Sequence, residues 1–318
     1  VINKNGKVRA ETENKVLAAI KKLEYEPSIV AKGLATNKTR MLSLLLNRFI
    51  SEKIESQYSI RFIYGFLNAA ALNNYEVLIK NIELDDIGAP FDNASLQTDG
   101  AAFLTVPDNE ERIKMLIKKE RPVVYAGLQQ SFDAIGCNIY GGYHLYRKEL
   151  LELLFKRGYR NILMVDGTVN IKSEMNDLTR KTLDQTVEKY RQYGFALREY
   201  DSKSISSELE QVFTGSNPPD SLIVHGIEHY IELSEMLIRN NISVPNDIGV
   251  VGVVHSRSSG TEFTPAVTTI YLDAFEMGRR SGELLIKFID GEDVSVFERN
   301  VPYTFIDRGS LPERPYKM

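Results

Sequence analysis

The feature that most constrains the fold is an alternation of short apolar runs with amphipathic stretches, beginning at residue 41. The runs are four to seven residues long, and some are apolar at every position, as in "ILMV". Such runs indicate strands buried on both faces, and the stretches between them show the three- and four-residue spacing of helices. Strands alternating with helices form parallel sheets. The predicted strands are Met41–Leu46, Tyr75–Ile79, Ala101–Val106, Val123–Ala126, Ile162–Val165, Ser221–Val224 and Ile248–Val254, and the predicted helices are Ile60–Leu72, Glu110–Lys119, Tyr143–Phe155, Leu178–Tyr193, Tyr230–Ile238 and Asp273–Ile289.

These strands are too numerous for one small sheet. The helix at Tyr143–Phe155 is followed by "RGYRNILMVDG", which indicates the start of a second series of strands and helices. The sequence therefore predicts an α/β fold with two similar lobes and a cleft between them. The helix at Asp273–Ile289 opens with a capping pattern, and its wide apolar surface indicates burial between the lobes or in a subunit contact.

Charge is distributed unevenly along the chain. Residues 1–40 contain nine Lys or Arg and four Asp or Glu, against 30 and 39 in the remainder. A basic head on an acidic body favours contact with a polyanion, although a solvated lysine-rich helix explains the charge equally well. The single cysteine, Cys137, excludes a disulfide within the chain and favours the reducing cytoplasm. No apolar run approaches the ~18 residues that span a bilayer, so we expect no membrane segment.

Two candidate helices occupy the head. "AETENKVLAAIKKL", at Ala10–Leu23, has acids in its first turn and lysines in its last, which suits the helix dipole. "PSIVAKGLATNKT" begins at Pro27, a residue suited to a first helical turn, but it is short and carries Gly33, so its helicity is marginal. The predicted buried face of the first helix consists of Val16, Leu17, Ile20 and Leu23.

The sequence contains no recognisable catalytic arrangement. It lacks a Gly-x-Ser-x-Gly elbow, a P-loop and a Gly-x-Gly-x-x-Gly turn after the first strand. His225 and His229 have the spacing of a metal-binding pair, but they straddle a predicted strand end and no third ligand is suitably spaced. We therefore expect neither an enzyme nor a metal or cofactor site.

Several motifs occur in one order along the chain, and together they resemble the LacI/GalR family of bacterial transcription regulators. They are "VINKNGKVRAETENKVLAAIKKLEYEPSIVAKGLATNKTRMLSLLL", "GYRNILMVDG", "SVPNDIGVVGV", "FTPAVTTI" and "EMGRRSGELLIKFIDG". The resemblance implies a periplasmic-binding-protein-like core of two Rossmann-like lobes, preceded by a partial DNA-binding headpiece. Residues 1–3 of this chain resemble the end of a recognition helix, so we expect the rest of a helix-turn-helix to precede them. The implied division is headpiece 1–26, hinge helix 27–39, first lobe 40–158 plus 268–295, and second lobe 159–267 plus 296–318.

The resemblance also implies a function. A homodimer would bind double-stranded operator DNA, with two heads reading two half-sites, and repression is the default outcome. Binding would weaken as salt rises, because basic residues near the head neutralise phosphates. The candidate DNA-binding residues are Asn3, Lys4, Lys7, Tyr25, Ser28, Ala31, Lys32, Leu34 and Lys38.

In such a regulator a small-molecule effector or a partner protein acts on the two-lobed core and changes the order of the hinge helix. This chain departs from the family where a sugar commonly binds. Thr182 stands at the position of a common arginine, with Arg180 nearby, and Val254 and His255 stand near the usual aspartates. These departures disfavour a neutral sugar and leave a different small molecule, such as a sugar derivative, an acid held by Arg180 and His255, or no ligand. The candidate effector-binding residues are Asn47, Tyr58, Tyr125, Asn138, Arg180, Thr182, Gly226, Glu228, Val254 and His255.

Two other classes of protein share this architecture. A solute-binding protein of a transport system would have the same core, but it gives no reason for a basic head with two helices. An enzyme would require a reactive arrangement that the sequence lacks. A helix-turn-helix encoded directly before Val1 would support the regulator, whereas a signal peptide there would support the transport protein.

Leu34 has the most specific predicted role in the hinge helix. An apolar side chain there can wedge between base pairs in the minor groove and bend the duplex, whereas packing beneath the core is the alternative. We expect Leu34→Ala in the full-length protein to lower operator affinity, measured by fluorescence anisotropy, and to leave effector binding unchanged. Equal operator affinity for the variant and the wild type would contradict the wedge.

Overall fold

The computed structural model describes most of the chain and confirms the predicted α/β fold class with two parallel-sheet lobes. The described residues are 9–23, 38–47, 56–82, 98–104, 122–127, 138–166, 174–200 and 207–315. None of the helices in these ranges is long and apolar enough to cross a bilayer. The helices are α1 (Ala10–Lys22), α2 (Gln57–Leu72), α3 (Tyr143–Lys156), α4 (Glu174–Tyr190), α5 (Ser207–Thr214), α6 (Ile227–Arg239) and α7 (Ala274–Asp290).

The first sheet is parallel and has the strand order β2-β1-β3-β4-β5. Its central strands are covered on both sides, which agrees with their apolar sequences. Its strands are β1 (Met41–Asn47), β2 (Glu76–Ile82), β3 (Gly100–Leu104), β4 (Val123–Ala126) and β5 (Asn138–Ile139).

The second sheet has the strand order β11-β10-β9-β8-β6-β7, and only its edge strand β11 is antiparallel. The sequence did not predict β5, β7, β10 or β11. Two of these, β7 and β11, lie at the edges of the sheet and are half-exposed along most of their length, so they lack an apolar run. The strands are β6 (Asn161–Val165), β7 (Ala196–Tyr200), β8 (Ser221–His225), β9 (Gly249–Val254), β10 (Thr268–Leu272) and β11 (Tyr303–Ile306).

Two segments that the predicted division assigned to the first lobe pack with the second sheet. Strand β10 pairs with β9, and α3 contributes Tyr146, Leu150 and Leu154 to a cluster with Ile162 and Met164 of β6. The reason is the path of the chain. It passes from the first lobe to the second directly after β5 and returns to the first directly after β10. It passes to the second lobe again beside a backbone bridge at residues 140 and 300. The domain boundaries themselves stay a prediction.

The core of the first lobe depends on close packing of α2 against α7. A Cβ atom on Gly65 would overlap the carbonyl oxygen of Phe275, and one on Gly278 would overlap that of Phe62. The two helices therefore approach backbone to backbone. Around this contact, buried side chains of both helices and of β1 form one cluster, which includes Leu44, Phe62, Phe66, Met277 and Leu284.

The predicted helix at Ala10–Leu23 is present, but the prediction of its buried face was wrong. None of the α1 residues is buried, and Leu17 and Leu23 have 51% and 74% of their surface exposed. No described residue covers the apolar stripe of α1. Burial of this stripe therefore requires contacts with something outside the described residues. The predicted helix at Glu110–Lys119 lies outside the described residues.

We expect Gly278→Ala to lower the free energy of unfolding by at least about 1–3 kcal/mol, because the added methyl group overlaps the α2 backbone, which cannot move without disturbing the core. Equilibrium unfolding in urea, followed by circular dichroism, measures the change. Lys287→Ala on the exposed side of the same helix is the control, with an expected change within about 0.5 kcal/mol. Equal stability of the two variants would contradict the backbone contact.

Candidate functional site

A cavity of about 480 Å³ lies between the lobes. The first turns of α2 line one side of it, and the loop after β9 lines the other. Both segments follow the carboxyl ends of parallel strands, the edge at which open α/β sheets bind ligands. The lining residues are Gln57, Ile60, Arg61, Ser256, Ser258, Ser259, Thr261 and Glu262.

Direct contacts cross the cleft beside this cavity. Arg61 Nη2 donates a hydrogen bond to Ser256 Oγ at 3.0 Å, and Ser259 Oγ donates one to Gln57 Oε1 at 3.2 Å. The start of α2 therefore holds the two lobes together through neutral hydroxyl and amide groups and one guanidinium. Water or a ligand can replace these two hydrogen bonds at low cost, because neither pair joins two buried charges.

Tyr58 and His255, both predicted effector residues, meet across the cleft with ring centroids 5.0 Å apart. His255 Nδ1 lies 3.1 Å from the carbonyl oxygen of Leu272, so Nδ1 carries the proton and donates it to that oxygen. Burial lowers the pKa of His255 to about 4. The ring is therefore neutral at pH 7 and links the cleft to the end of β10.

A second polar cluster lies at the carboxyl ends of β6 and β8. Arg147 Nη2 donates to Asp166 Oδ2 at 2.7 Å, and His225 Nδ1 lies 3.5 Å from the same oxygen. Tyr146 OH lies 3.3 Å from His225 Nε2 and accepts a bond from Arg147 Nε at 3.2 Å. The Asp166 side chain is only 1% exposed.

The charges of this cluster can be assigned from its burial. Burial lowers the pKa of His225 to about 4 and raises that of Tyr146 to about 12, so both rings are neutral at pH 7. Arg147 is therefore the cation that compensates the buried Asp166 carboxylate. Loss of either partner would leave an uncompensated buried charge, which is strongly destabilising.

The structure brings Tyr125 and Asn138 together as register neighbours in β4 and β5. Both side chains are buried, and among the described residues neither the oxygen nor the nitrogen of the Asn138 amide has a hydrogen-bond partner. An unsatisfied buried amide is costly, so Asn138 is the predicted effector residue with the strongest physical requirement for a partner.

The predicted pair of Arg180 and His255 is not brought together. Arg180 is exposed on α4 and pairs with Glu199 of the edge strand β7 at 3.2 Å. His255 follows β9, three strands away, or roughly 14 Å at about 4.8 Å per strand. The Thr182 hydroxyl donates a hydrogen bond to the carbonyl oxygen of Leu178 within α4, so this hydroxyl is already used inside its own helix.

The remaining predicted effector residues occupy strand ends or lie partly outside the description. Gly226 begins α6 with φ +83°, a conformation that favours glycine, and Val254 is buried at the end of β9. Asn47 ends β1 and Glu228 lies in the first turn of α6, and the side chains of both lie outside the described residues.

Only one of the predicted DNA-binding residues, Lys38, lies within the described residues. It forms an ion pair of 2.5 Å with Asp290, the last residue of α7. We refer to Lys38–Arg40 as the linker root, because these residues lead into β1. The other predicted DNA-binding residues, at positions 3, 4, 7, 25, 28, 31, 32 and 34, lie outside the described residues.

Sequence reasoning missed Arg61, Arg147 and Asp166, and it considered His225 only as a metal ligand. Two of these had a usable signal, because Asp166 directly follows a predicted strand and His225 follows the next predicted one. The carboxyl ends of parallel strands face the cleft, so the first polar residue after each strand was a candidate. Arg61 and Arg147 had no such signal, since each lies inside a helix. Among the described residues, no group of three or more His, Cys, Asp or Glu could hold a metal ion.

The chain has two lobes built on parallel sheets, and polar residues at the strand ends face the cleft between them. This arrangement defines the class of two-lobed α/β binding proteins. Comparison with known proteins identifies the family. The model of the periplasmic binding protein-like domain matches residues 151–311, half of the chain. Catabolite control protein A of Priestia megaterium is 24% identical over 311 residues, which cover 92% of this chain and 88% of that protein. The ribose operon repressor of Lactococcus lactis is 22% identical over 315 residues, covering 98% and 93%.

Solved structures show the same fold. The lac repressor dimer bound to operator and an anti-inducer superposes with a TM-score of 0.79 at 18% identity, covering 98% of this chain and 93% of that one. A LacI family regulator from Bifidobacterium animalis gives a TM-score of 0.72 at 19% identity, covering 87% and 100%. The chain therefore belongs to the family of periplasmic binding protein-like domains, and its predicted membership of the LacI/GalR group is confirmed.

The two buried histidines predict a pH dependence of stability. Their folded pKa values, about 4, lie below the unfolded value of about 6.5, so the unfolded chain binds more protons between these limits. The free energy of unfolding should therefore fall as pH decreases from 6.5 to 4, with a slope of up to about 1.4 kcal/mol per pH unit from each ring.

Urea unfolding at a series of pH values measures this slope. We expect His225→Gln to reduce the slope by the contribution of one ring, and His255→Gln to reduce it similarly. If each variant keeps the wild-type slope, the histidines are not the groups that titrate.

Proposed function

We propose that the protein is a sequence-specific DNA-binding transcriptional repressor whose operator affinity is controlled by an effector in the cleft between its lobes. One observation carries the proposal. The basic N-terminal segment, with nine Lys or Arg in forty residues, joins a ligand-binding core through a linker root fixed to the first lobe. This arrangement connects a polyanion-binding surface to a cleft that can close.

The relatives support the same function. One is a ribose operon repressor, another is a catabolite control protein, and the lac repressor has been solved with operator bound. The relatives are a control protein and a repressor, so we assign no reaction to the chain. A repressor acts on the chromosome, so we place the protein in the cytoplasm.

The cleft chemistry indicates the kind of effector. Its polar lining comprises the hydroxyls of Ser256, Ser258, Ser259 and Thr261, the Gln57 amide, the Arg61 guanidinium and the Glu262 carboxylate. The hydroxyls and the guanidinium suit a polyhydroxylated ligand whose acidic group lies beside Arg61 and away from Glu262, such as a sugar acid or a sugar phosphate. A regulatory partner protein acting on the same core is the alternative.

The exposed apolar surface supports a homodimer. Ile60, Tyr64 and Leu67 form a stripe along α2 and are 41%, 64% and 36% exposed, and Ile231 and Ile238 repeat the pattern on α6. An unpartnered stripe of this kind favours a subunit contact. We propose a second copy of the chain as its partner, because a two-fold dimer matches two operator half-sites.

Selection from a pool of random DNA duplexes tests the DNA-binding function in the protein expressed from its full open reading frame. We expect enrichment of a two-fold symmetric sequence, and an affinity for it that falls steeply with salt, by a logarithmic slope of about −0.9 for each neutralised phosphate. Recovery of the unselected pool at every salt concentration would overturn the proposal.

A thermal-shift screen tests the effector. We expect a sugar acid or sugar phosphate to raise the melting temperature, and we expect Arg61→Gln to reduce that shift more than Arg180→Gln, because only Arg61 lines the cavity. If no compound raises the melting temperature, the result favours a regulatory partner protein over a small-molecule effector.

A further inference from the structure

Two opposite charges line the cavity between the lobes and do not pair with each other. Arg61 lies on the first-lobe wall, near the start of α2, and Glu262 lies on the second-lobe wall, in the loop after β9. Among the described residues, neither side chain forms an ion pair, and the hydrogen-bond partner of Arg61 is the neutral hydroxyl of Ser256. The cavity therefore has a cation on one wall and a carboxylate on the other.

The loop after β9 fixes the backbone on both sides of Glu262. Before it, Thr261 Oγ1 donates a hydrogen bond to the carbonyl oxygen of Ser258 at 2.8 Å. After it, the ring of Phe263 packs edge-on against the buried Tyr230 of α6, with ring centroids 4.8 Å apart. The Glu262 carboxylate therefore extends from a fixed point on the cavity wall.

Arg61 is fixed on the opposite wall by the packing of α2. The next residue, Phe62, is fully buried, and its carbonyl group meets α7 at Gly278 in the backbone contact between the two helices. Arg61 Nη2 donates to Ser256 Oγ at 3.0 Å, and this neutral partner leaves the charge of the guanidinium uncompensated. A ligand that enters the cavity therefore meets both charges already in position.

A ligand that fills the cavity displaces water from both charges, and an ion that loses water without gaining a partner is costly. An acidic group on the ligand replaces the water at Arg61. The Glu262 carboxylate needs a hydrogen-bond donor from the same ligand. An ammonium group meets this need better than a hydroxyl, because charge-assisted hydrogen bonds are roughly twice as strong as neutral ones.

The size of the cavity limits where the ligand can carry its two charges. A volume of about 480 Å³ corresponds to a sphere roughly 10 Å across, which holds a sugar-sized ligand. A molecule with its two charges on neighbouring atoms reaches one wall at a time. A sugar ring with the charges at opposite ends reaches both walls, and the hydroxyls of Ser258 and Thr261 are available to the hydroxyls of the ring.

We propose that the effector is zwitterionic, a polyhydroxylated ring whose acidic group binds Arg61 and whose ammonium group binds Glu262. This inference rests on the proposed function, because it narrows the class of effector that acts in the cleft. A phosphate and a carboxylate suit Arg61 by the same chemistry, since a guanidinium donates two parallel hydrogen bonds to either group. Glu262 is then a specificity residue, because ligands without the amine leave its carboxylate without a cation.

Isothermal titration calorimetry with matched ligands at low salt tests the proposal. Glucosamine 6-phosphate carries both charges, whereas glucose 6-phosphate has a hydroxyl in place of the ammonium group. Glucosaminuronic acid and glucuronic acid repeat the comparison with a carboxylate in place of the phosphate. In at least one of these two pairs, we expect the wild-type protein to bind the amine about 10-fold to 100-fold more tightly than the hydroxyl compound.

Three variants assign the preference to its residue. Glu262→Gln should lose the preference for the amine and bind the hydroxyl compound with wild-type affinity. Arg61→Gln should lose the contribution of the acidic group and still prefer glucosamine to glucose. Asp184→Asn removes an exposed carboxylate of α4 that does not line the cavity, so it should keep the wild-type preference and controls for net charge.

Equal affinities for the amine and the hydroxyl compound in both pairs would overturn the proposal, as would an amine preference that survives in Glu262→Gln. In either case a sugar phosphate or sugar acid can still be the effector, so the proposed function stands. Binding of none of the compounds would also overturn the proposal. Selection of operator DNA would then decide the DNA-binding function independently.

Discussion

The backbone contact between α2 and α7 is the constraint on which the rest of the structure depends. Gly65 and Gly278 allow two helices of the first lobe to approach more closely than side chains would permit. One of these helices carries the residues that bond across the cleft, and the other reaches the linker root. Because the helices share a backbone contact, the first-lobe wall of the cleft and the helix end beside the linker root belong to one packed core. A looser pair would separate the ligand-binding surface from the segment that it is proposed to control.

The sequence predicted the α/β class and two lobes, because buried parallel strands have uniformly apolar sequences. It missed four strands whose sequences lack a continuous apolar run, including β10, which begins with two threonines although it is fully buried. Strands β7 and β11 are half-exposed edges without an apolar run, and the two residues of β5 are too few to show any period. The apolar face of α1 misled the prediction in the opposite direction. Its apolar periodicity is genuine. Such a face indicates that the helix packs against another surface, but it does not indicate that the surface belongs to the same chain.

The candidate site was predicted in part. Tyr58 and His255 came from the family resemblance and do meet across the cleft. Arg180 came from the same resemblance, but α4 directs it to Glu199 at the edge of the sheet. The difference arises because strand ends are fixed by the sheet, whereas a position in a helix can point to either side after a small rotation. Asp166 and His225 occupy strand ends, and their pairing with Arg147 depends on α3 packing against the second sheet, which the predicted lobe boundary did not allow.

The three crossings of the chain between the lobes also limit how such a protein can change over evolutionary time. Neither lobe is one continuous stretch, since α3 and β10 join the second sheet while α7 returns to the first. A recombination event with one exchange point inside the core would therefore separate at least one lobe from part of its own core. Substitutions within an intact cleft avoid this loss. The interleaved chain makes the sensing core inherit as a single unit, while the basic segment before residue 41 can be replaced at one junction.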